Sequence, residues 1–178
     1  MAIFPPSEKI WWNEPVERTE ALWIGIALIW AIIMFFMMPY WHIVGQQNLS
    51  TEAYRISPEK YVEKVDAFVE ANTIREEGDT GIPVAKATES GDVYMLGRLW
   101  EWYPILELEK GKAYRFHLSS ADWMHGWSLQ PTNINIQVHP GYEMIFNVTP
   151  TETGSFGVVC NEFCGIGHHT MLGKIIVK

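Results

Sequence analysis

Both cysteines of the chain lie in one short segment near the C-terminus, together with other side chains that bind metals. The segment reads Cys160-Asn-Glu-Phe-Cys164-Gly-Ile-Gly-His168-His169-Thr-Met171, so Cys, Cys, His and Met follow one another at spacings of four, four and three residues. Thiolate, imidazole and thioether together form a soft to borderline ligand set of the kind that copper prefers. The segment is therefore a candidate copper site.

A second imidazole must come from elsewhere in the chain, because a copper site with Cys and Met ligands ordinarily uses two histidines. The best candidate is His125, which lies 35 residues before Cys160 and just beyond a predicted strand. The sequence between them, with its own alternating apolar pattern, would have to fold back to bring the two residues together.

Three other interpretations of the cysteine segment stay open. A Cys160–Cys164 disulfide suits an oxidising compartment but leaves His168 and Met171 without a role. A zinc site with two Cys and two His matches the count, although a thioether is not a usual zinc ligand. A mononuclear blue-copper site needs a single Cys, so the second cysteine would be idle. Two thiolates are better used as bridges between two copper ions.

The segment Cys160–Met171, taken with His125, resembles the binuclear copper A site of cytochrome c oxidase subunit II. The resemblance extends over most of residues 90–178. It implies two bridging cysteines, two terminal histidines, a weak thioether ligand and a main-chain carbonyl ligand, which are Cys160, Cys164, His125, His168, Met171 and Glu162 respectively. It also favours His168 over the adjacent His169, and it implies a cupredoxin-like Greek-key β-barrel.

Residues around the predicted ligands have both a functional and a structural interpretation. Asp122 and Trp127 are candidates to surround the metal centre and adjust its reduction potential. Asp122 is equally interpreted as a turn residue, and Trp127 equally as a core residue. The resemblance implies an aromatic patch that receives electrons, for which Trp100, Trp102 or Tyr103 are candidates. The same run is equally a strand with one buried face, because aromatic residues favour strands.

The rest of the chain divides at an apolar run. No charged residue occurs from Ala21 to Thr51, and residues 21–38 are almost wholly apolar. Eighteen helical residues rise about 27 Å, and continuation to Val44 reaches the thickness of a bilayer core. A signal peptide would start nearer the N-terminus with a basic region and end in a small-residue cleavage site. We therefore predict a retained transmembrane helix over about residues 21–44.

Residues at the two ends of this helix carry further expectations. Asn13 is expected to cap it and Pro15 to lie in its first turn. Pro39 is expected to bend or end the helix near its far boundary. The numbers of Lys and Arg on the two sides do not decide its orientation.

The part of the chain that follows the apolar run is predicted to form a short helix followed by strands. Ser57 and Pro58 predict the start of that helix. Residues 75–92 are rich in Gly and Pro and are predicted to form a loop. Apolar alternation predicts later strands around residues 114–118, 134–138, 142–148, 154–159 and 173–178. His117 falls on the polar side of its strand and is expected in solvent. Such strands predict a β-sandwich or barrel.

The predicted domains are an N-terminal segment with the membrane anchor (1–50), a connecting helix and loop (51–91) and the copper A domain (92–178). The fold class is mainly β, with one N-terminal transmembrane helix. The net charge is −8, from 13 Lys and Arg against 21 Asp and Glu. No basic stripe is present for phosphates, so a nucleic-acid binder is excluded.

The single predicted span is similar to the one-helix subunit II of ba3-type (B-family) haem–copper oxidases. This resemblance implies a subunit without catalytic residues that accepts electrons from a soluble cytochrome c or a copper protein at a copper A centre of two ions. It implies transfer to haem in catalytic subunit I, where dioxygen is reduced and protons are pumped. The β-domain would lie on the periplasmic side of the cell membrane.

Other functions stay open at this stage. The copper A subunit of a nitric oxide reductase would carry the same residues, because the reacting gas never touches this chain. A membrane-tethered mononuclear blue-copper carrier would bind one copper ion per chain rather than two. The copper A domain of nitrous-oxide reductase belongs to a much larger chain and fits less well.

Overall fold

The N-terminal unit contains a single long helix. The structure is a computed structural model that describes residues 15–45 and 51–178, and contacts divide the chain into units at residues 1–48 and 49–178. Helix α1 spans Arg18–Val44. Its N-cap is Glu17, whose backbone N–H donates to the Glu20 carboxylate at 3.0 Å.

The ends of α1 differ from the expectations. Pro15 lies before the helix rather than in its first turn, because the capping box sets the start at Arg18. The expected cap, Asn13, lies outside the described residues. Pro39 does not end the helix, which continues to Val44, the predicted end of the span. It is long and apolar enough to cross a membrane, with a mean hydropathy of 2.5 in its most apolar window.

The C-terminal unit is built from strands, with one helix between the first two. Ser57 caps that helix by accepting from the Lys60 N–H, and Pro58 is its first residue, as predicted. The elements are β1 (Glu52–Arg55), α2 (Pro58–Asn72), β2 (Thr73–Glu77), β3 (Ile82–Lys86), β4 (Asp92–Arg98), β5 (Glu101–Tyr103), β6 (Ile105–Leu108), β7 (Tyr114–Ser120), β8 (His125–Leu129), β9 (Asn135–Val138), β10 (Tyr142–Val148), β11 (Gly154–Cys160) and β12 (Leu172–Val177).

These strands form two sheets, in the orders β1-β10-β7-β4-β5 and β2-β3-β6-β12-β11-β8-β9. The pairs β4–β7, β3–β6 and β6–β12 are parallel, and the other neighbours are antiparallel. Large side chains from both sheets fill the space between them, including Phe116, Trp127, Phe146 and Ile175. The predicted two-sheet β fold with one N-terminal apolar helix is confirmed.

The predicted loop over residues 75–92 is wrong. Residues 73–86 form the hairpin β2–β3, which joins the second sheet through a parallel pairing of β3 with β6. The glycines and proline that suggested a loop belong largely to the hairpin itself. Gly78 and Gly81 have φ values of 46° and 66°, which turn the chain between the two strands. Val84 is fully buried.

The expectation that His117 is solvated is also wrong, since its exposed fraction is 7%. Its ring nitrogens face Glu143 at 2.6 Å and Asp92 at 3.3 Å. Helix α2 packs over the outer face of the first sheet, so that polar positions on this strand become buried. The Tyr61 hydroxyl on α2 donates to the His117 carbonyl at 2.7 Å. Alternation alone cannot reveal that a sheet is covered on both faces.

Candidate metal centre

The cysteine loop is closed by the pairing of the two strands that it connects. Strands β11 and β12 pair through Val159 and Leu172, immediately before and after the loop residues. The Cys160 N–H then donates to the Met171 carbonyl at 3.2 Å. Cys160 and Met171, the first and last predicted ligands within the loop, are therefore held together by a main-chain hydrogen bond that needs no metal.

His125 reaches this loop because its strand is the other neighbour of β11. Strand β8 begins at His125 and pairs with β11 so that Trp127 lies opposite Cys160. The imidazole Nδ1 of His125 is 3.9 Å from the Cys160 Sγ. Residues 35 positions apart in sequence thus meet through sheet topology.

The six predicted ligands form one connected cluster around the two cysteine sulfurs. The two cysteine sulfurs are 3.8 Å apart, and each has a different imidazole beside it. The Cys164 Sγ lies 3.6 Å from the His168 Nδ1 and 3.7 Å from the Met171 Sδ. The Cys160 Sγ lies 3.3 Å from the Glu162 main-chain oxygen. The donor atoms therefore form two sulfur–imidazole pairs, with a thioether on one side and a carbonyl on the other.

Most side chains of this cluster are buried. His125 and Met171 are at most 1% exposed, and the cysteines at most 5%. Burial raises the pKa of the Cys164 thiol to about 11, and its hydrogen bond with Cys160 adds to the effect. A metal that binds here must therefore displace the thiol proton. Metal binding and deprotonation of the site are coupled.

The structure shows how the cysteines, the two adjacent histidines and Glu162 are arranged in this loop. Both cysteines are free thiols, so the fold does not require a disulfide. His169 is exposed, whereas His168 points its Nδ1 at a cysteine sulfur. Glu162 directs its carboxylate away from the sulfurs and accepts from the Gln137 side chain at 2.8 Å. Its carbonyl, and not its side chain, faces the cluster.

Asp122 contacts the predicted ligand His125 directly. The Nε2 of His125 and the Oδ1 of Asp122 are 2.8 Å apart. Burial raises the pKa of Asp122, but hydrogen bonds from His125 and from the backbone N–H groups of Trp123 and Leu99 outweigh this and leave the pKa below its ordinary value. An ionised Asp122 therefore fixes the orientation of the imidazole, as carboxylates do beside many metal-binding histidines.

Trp127 lies in the core rather than against the ligand side chains. Its indole N–H donates to the Met95 sulfur at 3.2 Å, and its ring packs on Phe116 and Phe146. Its link to the site is through the backbone, since it is the strand partner of Cys160.

The three aromatic candidates for receiving electrons have different environments. Trp102 is 1% exposed and meets the edge of His125 with ring centroids 5.9 Å apart. Tyr103 is half-buried under the guanidinium of Arg98. Trp100 is 40% exposed, and its indole N–H donates to the Cys164 carbonyl at 3.2 Å. Only Trp100, of these three, contacts both solvent and a residue of the cysteine loop.

The loop glycines make this contact possible. The ring of Trp100 lies so close to Gly167 that a Cβ there would overlap it, and it is also in contact range of a Cβ at Gly165. Gly165 has a φ of 110°, which favours glycine. Neither the packing of Trp100 on the loop nor the bond from Leu99 to Asp122 was predicted from the sequence, because no local pattern reports contacts between loops.

The rim of the loop exposes large apolar side chains. Phe163 is 80% exposed and Ile166 is 90% exposed, and Trp123 on the β7–β8 loop is 63% exposed. Exposed apolar groups that cluster around a functional loop typically mark a surface that another protein covers.

Comparison with known proteins agrees with this geometry. The family described as cytochrome c oxidase subunit II, periplasmic domain, matches residues 92–178. A cytochrome c oxidase subunit 2 of Thermus thermophilus is 32% identical over 136 residues, which cover 74% of this chain and 98% of that protein. A second cytochrome c oxidase subunit 2, also from Thermus thermophilus, is 29% identical over 171 residues, covering 93% of this chain and 95% of the relative.

A solved structure supports the fold. A chain from a haem–copper terminal oxidase dimer, determined by cryo-electron microscopy, aligns with a TM-score of 0.58 and 24% identity, covering 90% of this chain and 100% of that one. The free thiols, imidazoles and thioether that meet in the cysteine loop fit a copper A site. Since the matches also run along nearly the whole length of both Thermus thermophilus relatives, this chain belongs to the cytochrome c oxidase subunit II family.

Proposed function

We propose that this chain is the electron-accepting subunit of a ba3-type haem–copper oxidase and binds two copper ions at a copper A centre. The single observation that carries the proposal is the convergence of two free thiols, each beside its own imidazole, within the closed loop. A mononuclear copper site would use one thiolate. The second sulfur, 3.8 Å from the first, supports two bridging thiolates.

The proposed ligands are Cys160, Cys164, His125, His168, Met171 and the Glu162 carbonyl. Copper bound there supplies a one-electron centre whose charge is shared between two ions. The chain's own contribution is rigidity, because β11 and β12 clamp the loop and four of the proposed ligands, His125, Cys160, Cys164 and Met171, are buried. A fixed and largely buried ligand set would reorganise little when an electron arrives, which keeps the barrier to transfer low.

Trp100 is the residue that we propose as the point where electrons enter. Its exposed edge is open to a donor, and its N–H bond to the Cys164 carbonyl connects it to a bridging ligand. Trp102 is too deeply buried to meet a donor, although its contact with His125 suits it to support the site. Tyr103 lies beneath Arg98 and is a less direct route.

Family membership supports a proposal for the partners and the location of the chain. We propose that the donor is a soluble cytochrome c or a small copper protein, and that electrons leave to haem in catalytic subunit I, where dioxygen is reduced and protons are translocated. The chain itself supplies no catalytic group for that reaction. We propose that α1 crosses the plasma membrane once and leaves the β-domain on the periplasmic side. The exposed Phe163 and Ile166 suit contact with a partner subunit.

One experiment distinguishes this function from its nearest alternative. The full chain is loaded with copper in detergent, and its copper content and EPR spectrum are measured. Two copper ions per chain, with hyperfine structure from one unpaired electron shared by both nuclei, support the proposal. One ion per chain with a single-nucleus pattern would instead identify a blue-copper carrier. Haem analysis of the purified complex and assays with dioxygen and nitric oxide then separate an oxidase from a nitric oxide reductase.

A further inference from the structure

The two carboxylate oxygens of Asp122 bind different parts of the molecule. Oδ1 lies 2.8 Å from the Nε2 of His125 and also accepts the Trp123 N–H at 2.6 Å. Oδ2 accepts the backbone N–H of Leu99 at 2.8 Å. Leu99 lies 23 residues earlier in the chain, in the turn between β4 and β5. One side chain therefore joins a predicted copper ligand to a distant turn.

That turn carries Trp100. It consists of Leu99 and Trp100 alone, since the flanking residues Arg98 and Glu101 are already paired across β4 and β5. Both turn residues are 40% exposed. The Trp100 indole donates a hydrogen bond to the Cys164 carbonyl, so the turn is bonded both to the cysteine loop and to Asp122.

The bond to Leu99 is of the kind that holds a turn in place. A backbone N–H in a two-residue turn has no partner in the strand ladder and must find one elsewhere. A carboxylate is a strong acceptor, and hydrogen bonds to charged groups are about twice as strong as neutral ones. The same carboxylate holds the imidazole of His125. Movement of the turn is thus transmitted to His125 through the carboxylate of Asp122.

We propose that Asp122 is a positioning residue that sets Trp100 and the copper ligand His125 in a fixed mutual geometry. This inference rests on the proposed function, and it goes beyond a role in orienting the imidazole. The electron given up by a reduced donor at Trp100 reaches a centre whose ligand is aligned by the same carboxylate. Asp122 thereby controls both the copper potential and the placement of the residue that receives the electron.

The test uses Asp122→Asn in the full copper-loaded chain. Asparagine keeps the volume but loses one acceptor and the negative charge. We expect the copper potential to rise, because an anion near the oxidised centre is removed. We also expect the indole N–H resonance of Trp100, recorded in the diamagnetic cuprous state, to shift. Electron uptake from a reduced donor should slow by about tenfold, because a small misplacement is costly. Trp100→Phe assigns that resonance by its absence.

Asp92→Asn is the matched control. Asp92 and Asp122 are equally exposed at 26%, and each is bonded to a buried histidine nitrogen. Asp92 contacts His117 rather than His125. The same charge is removed, and neither the Trp100 resonance nor the uptake rate should change. If Asp122→Asn raises the potential but leaves the Trp100 resonance and the uptake rate unchanged, Asp122 acts on His125 alone and the proposal is overturned.

A second change keeps the proposal testable if Asp122→Asn does not load copper. Replacing Leu99 by its α-hydroxy acid turns the amide into an ester, which deletes the N–H donor and leaves every side chain intact. The Trp100 resonance should shift and uptake should slow, while both copper ions remain bound. An unchanged resonance and rate would overturn the proposal. The copper count and EPR spectrum of the unmodified chain test the proposed function separately.

Discussion

The indole N–H of Trp100 donates to the main-chain carbonyl of Cys164 at 3.2 Å, although 64 residues separate them in sequence. The contact links a half-exposed aromatic ring to a residue that we propose as a bridging ligand. It also seals one side of the loop, since the ring covers Gly165 and Gly167. The rate of electron uptake and the stability of the loop should both depend on this ring.

Trp100→Phe keeps an aromatic ring but removes the N–H donor. We expect uptake of electrons from a reduced donor to slow by about tenfold, because loss of a positioning contact misplaces the ring. The copper content should remain unchanged. Stopped-flow measurement with the intact complex checks this. Tyr142→Phe, at an aromatic residue on β10 that is 40% exposed like Trp100, is the control and should retain the normal rate. Equal rates in the two variants would exclude Trp100 as the point where electrons enter.

Met171→Leu replaces the proposed weak ligand by a side chain of similar volume. We expect two copper ions to remain bound and the copper potential to change, since a weak axial ligand tunes the metal without holding it. The free energy of unfolding of the metal-free chain should fall by less than about 1.5 kcal/mol, as for other volume-conserving exchanges. Met144→Leu on β10 is the control. Loss of all copper from Met171→Leu would contradict the assigned role.

Cys160→Ser removes one of the two proposed bridges. We expect copper binding to fall from two ions to one or none, with loss of the hyperfine pattern shared by two nuclei. Metal analysis and EPR of the loaded chain measure both. Circular dichroism of the metal-free variant serves as the folding control, because the serine is nearly isosteric. Retention of an unaltered copper spectrum would rule out Cys160 as a bridging ligand.

Gly167→Ala places a methyl group against the ring of Trp100. We expect the free energy of unfolding of the metal-free chain to fall by about 1–3 kcal/mol, as for other overpacked sites. Gly157→Ala on β11 is the matched control, because a Cβ there meets nothing within 4 Å. Thermal unfolding of both variants measures the difference. The double variant with Gly167→Ala and Trp100→Ala should lose less stability than the sum of the two single losses. Additive losses would mean that the two residues do not interact.

Glu143 on β10, which accepts hydrogen bonds from Lys64 of α2 and contacts His117, should make stability depend on acid pH. Burial raises the pKa of Glu143, but hydrogen bonds from His117 and Lys64 outweigh it, and the net pKa is lowered. A lowered carboxyl pKa contributes stability that is complete above the unfolded value of about 4.3 and is lost as the pH falls through the folded value.

Glu143→Gln should remove that acid-dependent contribution. At neutral pH we expect the free energy of unfolding to fall by about 1–3 kcal/mol, since the buried imidazole of His117 loses a charged partner. Below a pH of about 4.3 the difference from the unmodified chain should shrink. Urea unfolding from acid to neutral pH measures this, with Glu70→Gln on the exposed face of α2 as control. A constant difference across that range would show that Glu143 is not the responsible group.

The clustering of the side chains in the cysteine loop was predictable because the pattern is local. Cys160, Cys164, His168 and Met171 lie within twelve consecutive positions, and their residue types alone indicate a soft metal. The approach of His125 to this loop was predicted because a second imidazole was missing from it. The helix cap at Ser57 and the main strands followed from short-range patterns of the same kind.

Features that depend on how separate elements meet were not predictable. His117 is buried because α2 covers its side of the sheet, and its strand shows only an ordinary alternation. The link from Leu99 to Asp122 requires that two loops lie side by side, which sheet order decides. Trp100 differs from its neighbour Trp102 in exposure because it lies in a turn, and residue type alone does not separate them.

The donor atoms are gathered by hydrogen bonding between β8, β11 and β12, and strands β9 and β10 separate the first of these strands from the other two in the chain. A partly made polypeptide cannot present the complete set until synthesis has passed Met171, the last ligand in chain order, and β12 has paired. Metal insertion is therefore expected as a late event in biogenesis, after the barrel has closed. A substitution that impairs folding far from the loop would then lower the amount of copper bound in the cell, as a shortage of copper does.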